Sequence, residues 1–367
     1  MSHSAAQVWF RRLVVAFLVV TGLMINHSLL ESSNSWKAVL IRPPGNHKST
    51  TTSKIMYDAS AKVGNRIAGD DYFSRRTTKV NPYLHHIVLK PLRLCRRSAK
   101  DLFLLIAVLT HPDDVVGRSA IRRTWGSSAY SNGTWLGQVN VRTVEVVFVL
   151  GLRSNVFNST ADEALQNEIR YFDDIVQGDF VDSYKSLTLK SLLILQMASA
   201  LCRRARYLLK CDVDMFVNVP KLVRLLHKQD DGDERRRRSI LGYIISGVGP
   251  LRSGKYAVTK DEYPPDDYPP YAAGSSYVIS NELSPELYEA SDYVRRMPIE
   301  DVYVTGLLAK VTGGVYHVKL DGFLVNAPFA CDLIADRVTT GNHVSAEWML
   351  TVWKHIQHAK KNECAHY

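Results

Sequence analysis

Arg206-Tyr-Leu-Leu-Lys-Cys-Asp-Val-Asp-Met-Phe-Val-Asn218 decides the fold, because an apolar strand here runs directly into two carboxylates one residue apart. Tyr207 to Leu209 read as a strand inside a sheet, with Asp212 and Asp214 where the chain leaves it. In an open α/β sheet the carboxyl ends of the strands open onto the ligand crevice, so a site is expected at this point. Successive side chains of an extended chain alternate faces, so the two carboxylates point the same way and Val213 turns back into the protein. Two hard oxygen ligands on one side suit Mg²⁺ or Mn²⁺ bound through one or two carboxylates plus the phosphates of a substrate. Asp-x-Asp also occurs in solvated turns. Here Phe216-Val217 follow, then Pro220 in the first turn of a helix expected over Lys221 to Gln229, so the acidic turn is held at both ends.

Working outward, Asp101-Leu-Phe-Leu-Leu-Ile-Ala-Val-Leu109 is a near-continuous apolar run, as a strand covered on both faces should be. Val144 to Leu150, Ser239 to Val248 and Val315 to Leu320 read as further strands, and Asp162 to Phe172 as a helix. Gly117-Arg-Ser-Ala-Ile-Arg-Arg-Thr-Trp-Gly126 reads as a helix closed by Gly126. Its Arg118 and Arg122, four residues apart, share one face: either a solvated face or a pair of planar forks aimed at an anion such as phosphate. Asp182 is expected to cap an amphipathic helix running to about Cys202, with Tyr184, Leu187, Leu192 and Leu195 as its buried stripe and Lys190 on another face. Glu300-Asp301 after Pro298 suits the positive end of a helix. His317, inside a strand, reads as a packed or edge histidine rather than a ligand.

The chain has 367 residues, 46% hydrophobic and 22% charged, enough for one large α/β domain with appendages. Arg11-Arg12 precede an apolar run from Leu13 that weakens towards Leu30. That run is either the core of a cleaved signal peptide or an uncleaved signal anchor, and the positive-inside rule keeps the two arginines cytosolic in both cases. No small-x-small cleavage site follows, which favours the anchor: residues 1–12 as a cytosolic tail, 13–30 spanning the membrane, the rest lumenal. Residues 31–100 are polar, rich in Ser and Thr and without a sustained period, and are expected to form a stem of low order ahead of a folded domain over 101–367.

The formal charge of +10 sits in that stem: residues 37–100 carry a net +11, residues 1–36 a net +1 and the remainder −2. Phosphate-backbone binding needs a basic face on the folded domain, so nucleic acid is excluded as the partner. In a lumenal chain some of Cys95, Cys202, Cys211, Cys331 and Cys364 should pair, leaving at least one free or joined to another molecule. No zinc spacing is present. Asn132-Gly-Thr134 and Asn158-Ser-Thr160 are glycosylation acceptors. Asp230 to Arg238 reads as a charge-segregated, solvated insert.

Lys210-Cys-Asp-Val-Asp-Met-Phe-Val-Asn218 resembles the metal motif of the β-1,3-galactosyltransferases, inverting, nucleotide-sugar-dependent Golgi enzymes with the GT-A fold. Three further stretches resemble that family in the same order: Arg118 to Trp125, Tyr268-Pro-Pro-Tyr-Ala-Ala-Gly-Ser-Ser-Tyr277 and Glu300-Asp-Val302, and Asp173 to Lys190 is the longest match after the metal strand. The resemblance covers about residues 101–355. It implies a type II, single-pass Golgi membrane protein that uses Mn²⁺ or Mg²⁺ and UDP-galactose to build a β-1,3 linkage on a glycan acceptor, alone or in a homo- or hetero-oligomer. It assigns metal and donor to Asp212 and Asp214, completion of the metal shell to His343, the nucleotide diphosphate to Arg118, Arg122 and Lys190, the acceptor side to Tyr271, Gly274 and Glu300, and the general base to Asp301. Many relatives carry Cys at the positions of Ala272 and near Leu308, so a disulfide is expected to be missing here. A β-1,3-N-acetylglucosaminyltransferase using UDP-GlcNAc is the alternative, because pocket shape reads the donor sugar. A non-catalytic lectin-like protein on the same fold is a further one, against which the intact carboxylates at 212, 214 and 301 argue.

Overall fold

The structure is a computed structural model that describes residues 56–58, 78–81, 86–95, 102–129, 144–154, 159–229 and 237–358. The expected tail and anchor, Asn132, Asn158 and most of the charged insert lie outside these residues. Among the described residues no helix is long and apolar enough to cross a membrane.

A nine-stranded sheet organises the protein in the order β1-β10-β8-β9-β6-β3-β4-β5-β2. Its central strands are β3 (Leu104–Leu109), β4 (Val144–Leu152), β5 (Ile175–Val181) and β6 (Tyr207–Asp212), all parallel. Next to β6 runs the antiparallel β9 (Tyr271–Ser280), followed by β8 (Ser239–Ile245) and β10 (Tyr316–Lys319), which return to the direction of β6. The carboxyl ends of β3, β5, β6 and β8 and the amino end of β9 therefore share one edge of the sheet.

Both faces are covered, as the apolar runs required. Leu105, Ala107 and Leu109 of β3 enter one hydrophobic core, and Leu104, Ile106 and Val108 the other. The first core takes helix α3 (Leu187–Ala200) and α5 (Ser284–Ala290). The second takes α1 (Val115–Arg123), α4 (Val219–Gln229) and α8 (Ala346–His358), while α2 (Ser159–Phe172) adds Leu165. A π-helical turn, Val302–Leu308, continues into the short α6 (Ala309–Thr312), and α7 (Ala330–Ile334) precedes α8.

Several expectations are corrected here. The stretch read as a low-order stem contributes edge strands: β1 (Met56–Asp58) pairs with β10 and β2 (Ile87–Leu89) with β5, both antiparallel. These strands are only three residues long, too short to show a period. A Cys95–Cys202 disulfide further ties the segment to the end of α3. Cys331 is also disulfide-bonded, and Cys211 is a buried free thiol. Gly126 does not close α1: Thr124 does, and Gly126 lies inside the 3-10 turn Trp125–Ala129. Asp182 does not cap α3, whose start is organised by a Ser183–Ser186 capping box over the 3-10 turn Tyr184–Ser186. Nor is α3 amphipathic, since Thr188, Lys190–Ile194, Leu195, Met197 and Ala198 are buried around its circumference while Tyr184 is 55% exposed. A helix wrapped by sheet and neighbouring helices has no polar face to display.

Candidate active site

Strand β6 delivers Asp212 at its last position, opposite Leu109 of β3, and Asp214 two residues on. Val213 between them packs into the core below, where Gly117 of α1 makes room: a Cβ on Gly117 would come within 2.8 Å of a Val213 methyl. The turn then re-enters order through β7 (Phe216–Val217), which pairs with β11 (Thr340–Gly341). That small ribbon brings a distant segment to the carboxylates. The Val344 amide donates to the Asp214 carbonyl (3.0 Å), and His343 Nδ1 stands 3.6 Å from Asp214 Oδ2. His343 has φ of 58°, a left-handed conformation uncommon for a residue with a Cβ, and its amide is held by Asn342 Oδ1 at 2.8 Å.

Burial and the neighbouring Asp212 charge push the Asp214 carboxyl up from its ordinary value. A divalent cation between these carboxylates would relieve that like-charge repulsion, and carboxylate plus imidazole is a donor set Mn²⁺ accepts. Among the described residues, however, no three His, Cys, Asp or Glu side chains converge as a finished cage. One reason is Lys210, which draws Asp212 Oδ1 to 2.8 Å. The donors fit an ion whose coordination is completed by substrate phosphates rather than by protein.

Asp301 stands at the amino end of the π-helical turn and is fixed from two directions. Its Oδ2 accepts from the Gly274 amide of β9 (2.8 Å) and its Oδ1 from the Val302 amide (2.9 Å). Thr305 locks the turn to the same strand, donating to the Asp301 carbonyl (2.6 Å) while its hydroxyl accepts from the Ala272 amide (2.9 Å). Burial, then the adjacent Glu300 charge, push the Asp301 carboxyl up to about 6. Such a group is ionised at neutral pH and still basic enough to take a proton.

Gly274 explains why this strand needs a glycine. A Cβ there would meet Asp301 Oδ2 at 3.0 Å and its Cβ and Cγ at 3.2 Å, so the close approach it permits is to the carboxylate. Its carbonyl meanwhile accepts from Lys210 Nζ. The buried Lys210 ammonium thus touches Asp212 and Gly274 and lies 3.5 Å from Glu300 Oε2, linking the metal-side carboxylate to the strand that holds Asp301. Lys210 has no role in the sequence pattern alone. Its position two residues before Asp212 on one strand, hence on the same face, was the available signal.

The remaining expected residues divide. Lys190 is buried and spans the site, donating to the Thr110 carbonyl beyond β3 (2.7 Å) and pairing with Asp182 (2.7 Å). Arg118 and Arg122 do not project into open space. Arg118 closes a bidentate fork on Glu168 (2.8 and 2.7 Å) and donates to the His111 (2.6 Å) and Pro112 (3.1 Å) carbonyls. Arg122 forks onto Asp174 (both 2.8 Å) and lies 3.9 Å over the Phe172 ring. Arg118 therefore shapes the β3–α1 loop from beneath, and Arg122 shares Glu168 with it (2.7 Å). Glu300, expected on the acceptor side, is buried and accepts from the Tyr277 hydroxyl at 2.6 Å. Tyr271 begins β9 half-buried, stacked edge-on against Tyr268, with its hydroxyl raised by burial and the Asp301 charge. His317 is fully buried, its Nε2 2.6 Å from the Thr305 carbonyl and its ring held neutral down to about pH 4 by burial, as a packed histidine should be.

The family model described as galactosyltransferase matches residues 117–320. Beta-1,3-galactosyltransferase 1 of Mus musculus is 31% identical over 292 residues, 79% of this chain and 84% of the relative, and the Homo sapiens protein of that name matches equally. Beta-1,3-galactosyltransferase 2 of Homo sapiens is 29% identical over 349 residues, 93% of this chain and 79% of the relative.

Proposed function

This chain belongs to the galactosyltransferase family and is a hexosyltransferase, and from that premise we propose that it moves galactose from UDP-galactose to a glycan hydroxyl in β-1,3 linkage, with inversion. The observation that carries the proposal is the Asp212–Lys210–Gly274–Asp301 chain of contacts, which couples a carboxylate turn to a single basic carboxylate. An inverting transfer is one in-line displacement. Asp301 takes the proton of the acceptor hydroxyl as that oxygen bonds to the anomeric carbon, and the bond from that carbon to the UDP oxygen breaks on the opposite side. Asp212, Asp214 and His343 would hold Mn²⁺ or Mg²⁺, which when bound supplies charge neutralisation for the departing diphosphate. Lys190 and Arg118 keep the Thr110–Pro112 loop in place for the donor, Arg122 supports the same helix, and Tyr271 faces the acceptor. The protein acts on a lumenal glycan, anchored in the Golgi membrane by residues 13–30.

The test is to incubate the purified enzyme with Mn²⁺, a panel of UDP-sugars and β-linked acceptor glycosides, and to read anomer and linkage by NMR. UDP-galactose giving a β-1,3 product supports the reading. Exclusive use of UDP-GlcNAc replaces the donor, and a retained α-anomer refutes the mechanism.

A further inference from the structure

The segments that follow β5 and β8 meet across the site. In the sheet, β9, β6, β3 and β4 lie between those two strands, yet Tyr184, three residues beyond β5, stands beside Tyr256 of the β8–β9 connection. Lys255 bridges the same two rings, its ammonium 5.0 Å from the Tyr184 centroid and 5.2 Å from that of Tyr256. This contact spans the edge where Asp212 ends β6, and Tyr184 feels the charges of both Asp301 and Asp212. Residues 246–270 contain no helix or strand, but the loop is built rather than slack. Arg252 donates to the carbonyls of Val258 (2.9 Å), Tyr263 (3.0 Å) and Pro265 (2.9 Å), and the Tyr263 hydroxyl to that of Asp267 (2.8 Å). It leads directly into Tyr271 and Gly274.

Long connections with internal order are where binding function concentrates. Tyr184 and Tyr256 are 55% and 39% exposed, and Lys255 is exposed beside them. We propose that Tyr184, Lys255 and Tyr256 form an acceptor subsite that binds the second sugar of the glycan, on the reducing side of the one that receives galactose. The exposed ring faces take the C–H face of a pyranose, and the ammonium, pre-placed by the rings, donates to its oxygens. The subsite sets a preference for acceptors of two sugars over one. It rests on the transferase reading above, and the experiment separates the two.

Binding of methyl β-galactoside, methyl β-lactoside, methyl N-acetyl-β-glucosaminide and methyl β-chitobioside to the full chain, with UDP and Mn²⁺ present, is measured by NMR titration. The expected result is that a disaccharide binds roughly tenfold tighter than its monosaccharide, and that Tyr256→Ala and Lys255→Ala each remove most of that gain while monosaccharide affinity stays within about twofold. Tyr256→Phe, which keeps the ring, retains the gain, and serves if the alanine variant melts early. Equal affinity for one and two sugars, or a disaccharide gain untouched in both alanine variants, overturns the subsite. Turnover with UDP-galactose by the unaltered enzyme in that event leaves the transferase reading standing, and failure of UDP to bind sinks that reading instead.

Discussion

Replacing Lys210 with methionine should damage stability and chemistry together, with signs that follow from its contacts. The ammonium is 3% exposed, donates to Asp212 Oδ1 at 2.8 Å and to the Gly274 carbonyl, and faces Glu300 Oε2 at 3.5 Å. Methionine keeps the apolar stem and removes the charge. Breaking a buried ion pair by deleting one member costs about 3–5 kcal/mol, because the other charge stays uncompensated. Asp212 is 37% exposed and partly screened by water, so the lower end applies, about 3 kcal/mol. In a domain of this size that lowers the melting temperature by roughly 5–10 °C. Lys210 also holds the Asp301 carboxyl down against burial and Glu300, so without it that carboxyl rises further above about 6. A base must be ionised to act, so the acid limb of kcat/KM moves to higher pH. Calorimetry and a pH–rate profile between about pH 5 and 8 read both effects. A melting temperature within about 1 °C of the parent and an unmoved acid limb would refute the bridging role of Lys210.

In the unaltered enzyme kcat/KM should fall as pH drops through about 6, since protonation of Asp301 removes the base; a flat profile down to pH about 4.5 would exclude it. Gly274→Ala forces Asp301 out of position and should lower kcat at least about tenfold with little change in melting temperature, because the displaced group is one carboxylate rather than the core. Arg122→Leu takes the guanidinium fork from buried Asp174 and one of two arginines from buried Glu168, and should cost about 3–5 kcal/mol in urea unfolding; a loss below about 1 kcal/mol would contradict that. His343→Ala should raise the Mn²⁺ concentration needed for UDP binding by about tenfold or more, read by calorimetry, and an unchanged requirement removes the residue from the metal side.

Much of the sheet was legible because buried parallel strands are near-continuous apolar runs: Leu104–Leu109 is apolar at every position, and Val144–Leu150 departs from the run only at Glu145. The edge strands were not, because Met56–Asp58 and Ile87–Leu89 are too short for alternation and take their conformation from the strands they join; nor were β5 and β9, whose runs are interrupted by Gln177-Gly-Asp179 and Gly274-Ser-Ser276. Asp212 and Asp214 stood out through their local setting, whereas Asp301 stood out only through the family resemblance, because an acidic pair opening a helix is ordinary in itself. The directions of Arg118, Arg122 and Glu300 did not, because each is decided by a partner far away in sequence: Glu168, Asp174 and Tyr277. Four-residue spacing places two arginines on one face, but whether that face meets phosphate or buried carboxylate depends on what α2 brings beneath it. Lys210 escaped notice for the opposite reason, since a lysine inside an apolar strand resembles an accident until Gly274 and Glu300 surround it.

The account turns on Asp301 acting as the sole proton acceptor, opposite the carboxylates that hold the donor. Titrating Asp301→Asn with UDP and Mn²⁺ by calorimetry, and assaying the same sample for transfer, tests this most directly. Affinity should match the parent within about twofold while turnover falls by about 10²–10⁴. Retained turnover would assign the base elsewhere, and lost UDP affinity would move Asp301 to the donor side.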